Sequence, residues 1–252
     1  MSAPGRELPA AGTWLFDLGN SRLKFAPLRD DGGVGAVEAV AHDGAAFAPG
    51  WEASLPARCE AAWIAGVASP GLRAALLDAL AARARQVHVA RTLPAFGGLR
   101  IAYAEPSRLG VDRFLALLAA HARGGAALVV GVGTALTVDL VADGRHFGGR
   151  IAPSPALMRE TLHARAPVLP ASGGEYVAFA ADTADALASG CEGAAVALVR
   201  QSLDAARAQI GCAPALLLHG GGADALRAHF PEAVPAPALV LEGLAQWARA
   251  AA

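Results

Sequence analysis

The 252 residues, 54 % hydrophobic and 17 % charged, suffice for one large domain or two of about 100–150 residues each, with ample apolar material for a core. A formal net charge of −1 leaves no basic stripe of the kind that marks a nucleic-acid binder. No apolar run approaches the ~18 residues that a membrane-spanning helix needs.

The opening MSAPGRELPAAG lacks the apolar core of a secretory signal and reads as a frayed tail over residues 1–12. Residues 14–18 and 21–28 then read as two strands around the turn pair Gly19-Asn20, with Asp17 at the break. A third strand is expected over 35–41, and a loop or short helix over 44–58. A buried strand over 61–68 precedes GLRAALLDALAARA, whose leucines recur at helical spacing over 71–84. Short strands follow at 86–90 and 99–103. RLGVDRFLALLAAHARGG then carries Leu115, Leu118 and Ala119 on one helical face, stopped by Gly124-Gly125.

At Ala126 the order restarts. The pattern predicts strands over 127–132, 136–141 and 147–151, separated by a Gly-Thr turn and an Asp-Gly turn. Helices are expected over 154–164 and 182–210. A strand at 215–218 runs into HGGGAD and a short helix, and a strand at 238–241 leads to a terminal helix from Glu242. Residues 17–21 (DLGNS) lie without gaps over residues 131–135 (GVGTA). An internal duplication of a hairpin-led α/β unit accounts for this, with halves at 13–114 and 115–252.

A strand that ends in Gly followed by Ser or Thr exposes amides suited to an anion. Two such turns suit a polyphosphate, and a carboxylate beside phosphate is explained by Mg²⁺ between them. Asp17, Gly19, Asn20, Ser21 and Lys24 form the first candidate set, and Gly133 and Thr134 the second. An ordinary hairpin with turn-favoured Asp and Asn explains the first stretch equally well. Gly220, Gly221 and Gly222 offer backbone that could approach a flat ligand. Asp112 stands in a helix first turn, where the dipole alone stabilises a carboxylate by ~0.3–1 kcal/mol; Arg113 beside it reads more simply as a solvated surface charge. The seven histidines include no HExxH, and neither GxSxG nor GxxxxGK[ST] occurs. Cys59, Cys191 and Cys212 are widely spaced and read as small buried hydrophobes in a reducing cytoplasm.

Five segments taken in order resemble the type III pantothenate kinases of the acetate-and-sugar-kinase, Hsp70 and actin superfamily. They are DLGNSRLK, YAEPSRLGVDRF, GTALTVDLV with GRHFGGRIAPS, ADTADALASG and GGGAD. The resemblance covers nearly the whole chain. It implies an α/β fold of two ribonuclease-H-like domains, the actin-like ATPase fold, around a central nucleotide cleft. It implies ATP-dependent phosphorylation of pantothenate to 4′-phosphopantothenate, toward coenzyme A, by a cytoplasmic homodimer without nucleic-acid or membrane partners. By the same resemblance, Asp17 organises Mg²⁺, Gly19, Asn20, Ser21 and Lys24 line one phosphate loop, and Gly133 and Thr134 line another. Asp112 is the general base. Tyr103, Gly110, Val111 and Arg113 line the pantothenate pocket, Thr183 reaches a neighbouring subunit's pocket, and Gly220–Gly222 lie against the adenosine. The family usually has Asp where Gly131 stands, and that carboxylate helps hold an activating K⁺ or NH₄⁺; Asp139 remains to share that role. Ser154 replaces the usual Gly after Pro153. A non-catalytic accessory factor of transcription, or another small-molecule kinase of the superfamily, are the rival expectations.

Overall fold

In a computed structural model of the protein, residues 12–251 are described; the tail expected over 1–12 lies outside them apart from Gly12. The chain divides into two compact units. The first comprises residues up to 97, 103–119 and 238 onward; the second comprises 98–102 and 120–237.

The first unit opens with β1 (Thr13–Leu18), β2 (Arg22–Pro27) and β3 (Glu38–Ala41), an antiparallel meander. β4 (Cys59–Gly66) pairs parallel to β1, and β5 (Ala84–Val89) parallel to β4, which gives the order β3-β2-β1-β4-β5. The loop after β3 holds a single 3-10 turn at Trp51–Ser54. Helix α1 (Pro70–Ala81) crosses between β4 and β5. Ser69 caps it, its hydroxyl accepting from the Leu72 amide at 3.5 Å, with Pro70 in the first turn where no amide is needed. Leu72, Leu76 and Leu80, spaced by four, are fully buried against Trp14, Phe16, Leu18 and Phe25. Each contributes about 2 kcal/mol by leaving water.

A short β6 (Ala95–Phe96) brings Phe96 onto Trp247, with ring centroids 4.4 Å apart. Helix α2 (Val111–Ala122) follows β7 (Leu99–Arg100). The last described residues also belong to the first unit. Residues 238–241, expected as a strand, are instead the start of α6 (Leu239–Ala251), where the Glu242 amide already bonds the Ala238 carbonyl at 2.9 Å. An apolar run of four cannot be told from a buried helix turn by pattern alone. α6 packs on β1 and β4, and Gly243 permits its close approach to α2, because a Cβ there would run into the Leu115 carbonyl.

The second unit repeats the plan. β8 (Ala127–Val132), β9 (Ala135–Ala142) and β10 (Arg145–Pro153) form an antiparallel meander. β11 (Ala215–His219) pairs parallel to β8, and β12 (Val234–Pro235) parallel to β11. The order β10-β9-β8-β11-β12 reproduces that of the first unit strand for strand. Asp143 (φ 49°) and Gly144 (φ 69°) make the tight turn between β9 and β10. α3 (Pro155–Arg165), α4 (Thr183–Ile210) and α5 (Ala223–Arg227) complete the unit. Asp182 caps α4, accepting from the amides of Ala184 and Asp185, and Gly211 (φ 73°) ends it. Leu128, Val130 and Val132 of β8 face Val196, Val199 and Leu203 of α4. The alternate residues, Val129 and Gly131, therefore look to the opposite face of the sheet.

The strand orders of both units, with their helical crossovers, make this an α/β protein of two ribonuclease-H-like domains, the actin-like ATPase fold. Among the described residues, no helix is long and apolar enough to cross a membrane.

Candidate active site

The β1–β2 turn is Gly19-Asn20-Ser21, closed by the Gly19 amide on the Arg22 carbonyl at 3.0 Å. Its counterpart, Gly133-Thr134, is closed by the Gly133 amide on the Ala135 carbonyl at 2.9 Å. An added Cβ at either glycine would meet only one atom, at 3.5 and 3.9 Å. Packing does not demand glycine there; what it provides is bare, approachable backbone at the exposed ends of the strands. His42, after β3, holds the first turn. Its Nδ1 accepts from the Gly44 amide at 3.1 Å, so its Nε2–H donates to the Gly19 carbonyl at 3.0 Å. No sequence motif marks this histidine, and it was visible only as one of seven non-ligands.

Asp17 precedes that turn and stands opposite Lys24 across the hairpin. Burial, and after it the charge of Asp112, push its carboxyl up to about 7, against the pull of Lys24. The first unit thus brings Asp17, Lys24 and Asp112 into one electrostatic group. Asp112 lies in the first turn of α2, where its Oδ1 accepts from the Arg113 amide at 2.8 Å. Gly110 leaves room for this, because a Cβ there would lie 2.5 Å from that oxygen. The Thr92 hydroxyl donates to the Leu109 carbonyl at 2.8 Å and fixes the segment just ahead of Gly110, Val111 and Asp112. Arg113 is not a surface charge: it is 7 % exposed, donates to the Tyr103 hydroxyl at 3.3 Å and lies 5.9 Å over that ring. A buried guanidinium held on an aromatic ring is preorganised to meet a carboxylate.

In the second unit the Gly220–Gly222 loop runs against the end of β8. The Gly222 amide donates to the Val132 carbonyl at 3.0 Å, and Gly220 (φ 95°) has no room for a Cβ beside that carbonyl. Val132 joins this loop directly to the Gly133-Thr134 turn. Ser154 ties α3 to the same turn: its amide donates to the Thr134 carbonyl at 3.3 Å, and its hydroxyl caps α3 by accepting from the Leu157 amide. A glycine there could not supply the second bond. Thr183 stands apart, exposed on the first turn of α4.

The donor set decides which ions these residues suit. Mg²⁺ takes one or two carboxylates and completes its shell with water and phosphate. Two mutually repelling carboxylates, Asp17 and Asp112, beside a phosphate-sized turn fit that demand. A monovalent cation is a poorer match. Asp139 is 2 % exposed, and its Oδ1 accepts from Nε2 of the fully buried His146 at 3.0 Å. His146 Nδ1 in turn accepts from the Ala102 amide at 3.4 Å, so the ring is fixed as donor to Asp139. The atoms nearest a Cβ on Gly131 would be Thr137 Oγ1 and the His219 ring, neither of them a carboxylate. The residues present do not fit the K⁺ or NH₄⁺ site that the resemblance implies.

The sequence profile of the type III pantothenate kinases matches residues 14–205. The chain is 58 % identical to the type III pantothenate kinase of Stenotrophomonas maltophilia strain K279a, over 93 % of this chain and 96 % of that one. It is 56 % identical to that of Xanthomonas euvesicatoria pv. vesicatoria strain 85-10, over 95 % and 98 %. Among solved structures, a Campylobacter jejuni protein described as a candidate Baf family transcriptional activator superposes with a TM-score of 0.63 at 20 % identity, covering 94 % of this chain and 98 % of that one. At that identity the likeness shows the fold alone. The chain belongs to the type III pantothenate kinase family.

Proposed function

We propose that this chain transfers the γ-phosphoryl group of ATP to the primary hydroxyl of pantothenate, giving 4′-phosphopantothenate, the entry to coenzyme A. The observation that carries this reading is the joining of Asp112, Asp17 and Lys24 in one electrostatic group within a chain of this family.

Asp112 serves as general base. A primary alcohol is far too weak an acid for a carboxylate to ionise beforehand. In a loose phosphoryl-transfer transition state the base orients the hydroxyl and accepts its proton late. Tyr103 and Arg113 bind pantothenate, the guanidinium holding its carboxylate; Gly110 and Val111 line the same pocket. Asp17 would hold Mg²⁺, directly or through water. Bound there with the nucleotide, Mg²⁺ neutralises phosphate charge. The amides of Gly19, Asn20 and Ser21 and the ammonium of Lys24 receive phosphate oxygens in the first unit. Gly133 and Thr134 do so in the second, where Gly220, Gly221 and Gly222 receive the adenosine. Positioning and charge neutralisation lower most of the barrier.

The presence of both carboxylates favours a catalyst over a purely accessory factor. Homodimerisation belongs to the same reading. The second unit exposes Ile151, Leu162, Val168 and Phe179, and Leu162 lines an apolar groove of about 490 Å³ together with Met158, Leu187 and Cys191. A second copy would cover this face and bring Thr183 to its neighbour's pocket. The test incubates purified protein with ATP, Mg²⁺ and pantothenate and reads product mass. 4′-Phosphopantothenate is expected; ATP hydrolysis without it would refute the assignment.

A further inference from the structure

The two units carry the same strand device with one exchange of side chains. On β1, Asp17 stands between Lys24 of β2 and Ala65 of β4. The matching position on β8 is Gly131, between Thr137 of β9 and His219 of β11. One unit sets a carboxylate beside a methyl group; the other sets bare backbone beside an imidazole. Register partners on neighbouring strands point to the same face. The His219 ring therefore has space only if position 131 gives its own up. A Cβ on Gly131 would lie 2.8 Å from His219 Nε2, 3.0 Å from its Cε1 and 2.7 Å from Thr137 Oγ1, all inside contact distance.

We infer that His219 and Thr137 together take the place of a monovalent cation at the end of β8, and that phosphoryl transfer by this chain requires neither K⁺ nor NH₄⁺. The inference rests on the kinase reading above. K⁺ is held by carboxylate, carbonyl and water oxygens, and imidazole nitrogen is a poor ligand for it; NH₄⁺ needs several acceptors around it, more than one ring nitrogen and one hydroxyl supply. The position that would supply a carboxylate has no side chain. The remaining one, Asp139, is enclosed, with the His146 N–H on Oδ1 and that same oxygen packed against Gly149. The imidazole, which belongs to the chain itself, fills the space beside Gly131. His219 leads directly into Gly220, and the residue it covers lies two before Gly133. The ring thus sits at the base of both loops, whose backbones meet where the Gly222 amide donates to the Val132 carbonyl.

The experiment measures two quantities at constant ionic strength, in tetramethylammonium chloride and with KCl or NH₄Cl substituted for it. The first is ATP affinity by calorimetry with Mg²⁺; the second is the rate of 4′-phosphopantothenate formation. ATP Kd and rate that agree within threefold across the salts are expected. A more than threefold gain in either with K⁺ or NH₄⁺ would overturn the inference. If no product forms in any salt, the kinase assignment fails, while the ATP affinities still decide the cation question. In His219→Ala, with unfolding followed to show that the protein remains folded, ATP Kd is expected to rise at least threefold. An unchanged Kd would remove His219 from the account.

Discussion

Asp17 and Lys24 are directly opposed across the β1–β2 hairpin, so carboxylate and ammonium share one face of the first sheet. Lys24 nevertheless does not win: burial and the Asp112 charge raise the Asp17 carboxyl from 3.8 to about 7. A carboxyl with a folded pKa above its unfolded value holds a proton in the native chain that the unfolded chain releases. Its contribution to stability is complete below about pH 4 and is lost as pH rises toward 7. Each pK unit is worth about 1.4 kcal/mol, and partial solvent access to Asp17 reduces the total. Without nucleotide, Asp17→Asn is expected to be more stable than the parent at pH 8 by about 1–3 kcal/mol, with the gap closing by pH 4. Urea unfolding at both pH values checks this. The same variant is expected to lose tight Mg²⁺-dependent ATP binding.

Tyr103→Phe removes the acceptor of the 3.3 Å bond from buried Arg113 and keeps the ring beneath the guanidinium. Loss of one such bond costs about 1 kcal/mol, so the KM for pantothenate is expected to rise about five- to tenfold. kcat should hold, and the melting temperature should fall by only about 2–4 °C. A fall in kcat with KM unchanged would place Tyr103 in the chemical step instead.

His42→Ala releases the Gly19 carbonyl and loosens the first phosphate turn without touching substrate. The KM for ATP is expected to rise roughly three- to tenfold, on the scale of one hydrogen bond, while the KM for pantothenate stays level. His42→Asn, which can still donate locally, should recover part of the loss. Steady-state kinetics with each substrate varied separates these outcomes.

Gly220→Ala forces a side chain onto a left-handed backbone and against the Val132 carbonyl. About 1–3 kcal/mol of stability should be lost, and ATP affinity with it. Gly221→Ala, whose Cβ would meet nothing within 4 Å, is the matched control and should leave stability nearly unchanged.

The repeat was legible because alternation, glycine turns and the order of strands are local signals. β8 lies where the pattern placed it, and the two meanders proved to be the same topology. The start of α6 was not legible, since Leu239, Val240 and Leu241 are apolar in either conformation. Nor does anything in 239–251 say that this helix packs on β1 and β4. At the site, residue type and spacing left the turns and Asp112 open between a structural and a functional reading, and the resemblance singled them out. The burial of Arg113, the His42 brace and the His219 ring over Gly131 depend on contacts between residues far apart in sequence, and no single stretch encodes them. Ser154 reads in sequence as a departure, yet in the fold it is a working helix cap.

The central claim is that Asp112 accepts the proton of the pantothenate hydroxyl. The measurement is single-turnover formation of 4′-phosphopantothenate by Asp112→Asn, with ATP affinity read on the same sample. Because general-base catalysis contributes about 10²–10⁴-fold, turnover is expected to fall at least a hundredfold, with ATP Kd within about threefold of the parent. A variant that binds ATP normally and still phosphorylates pantothenate at near-parental rate would contradict the account.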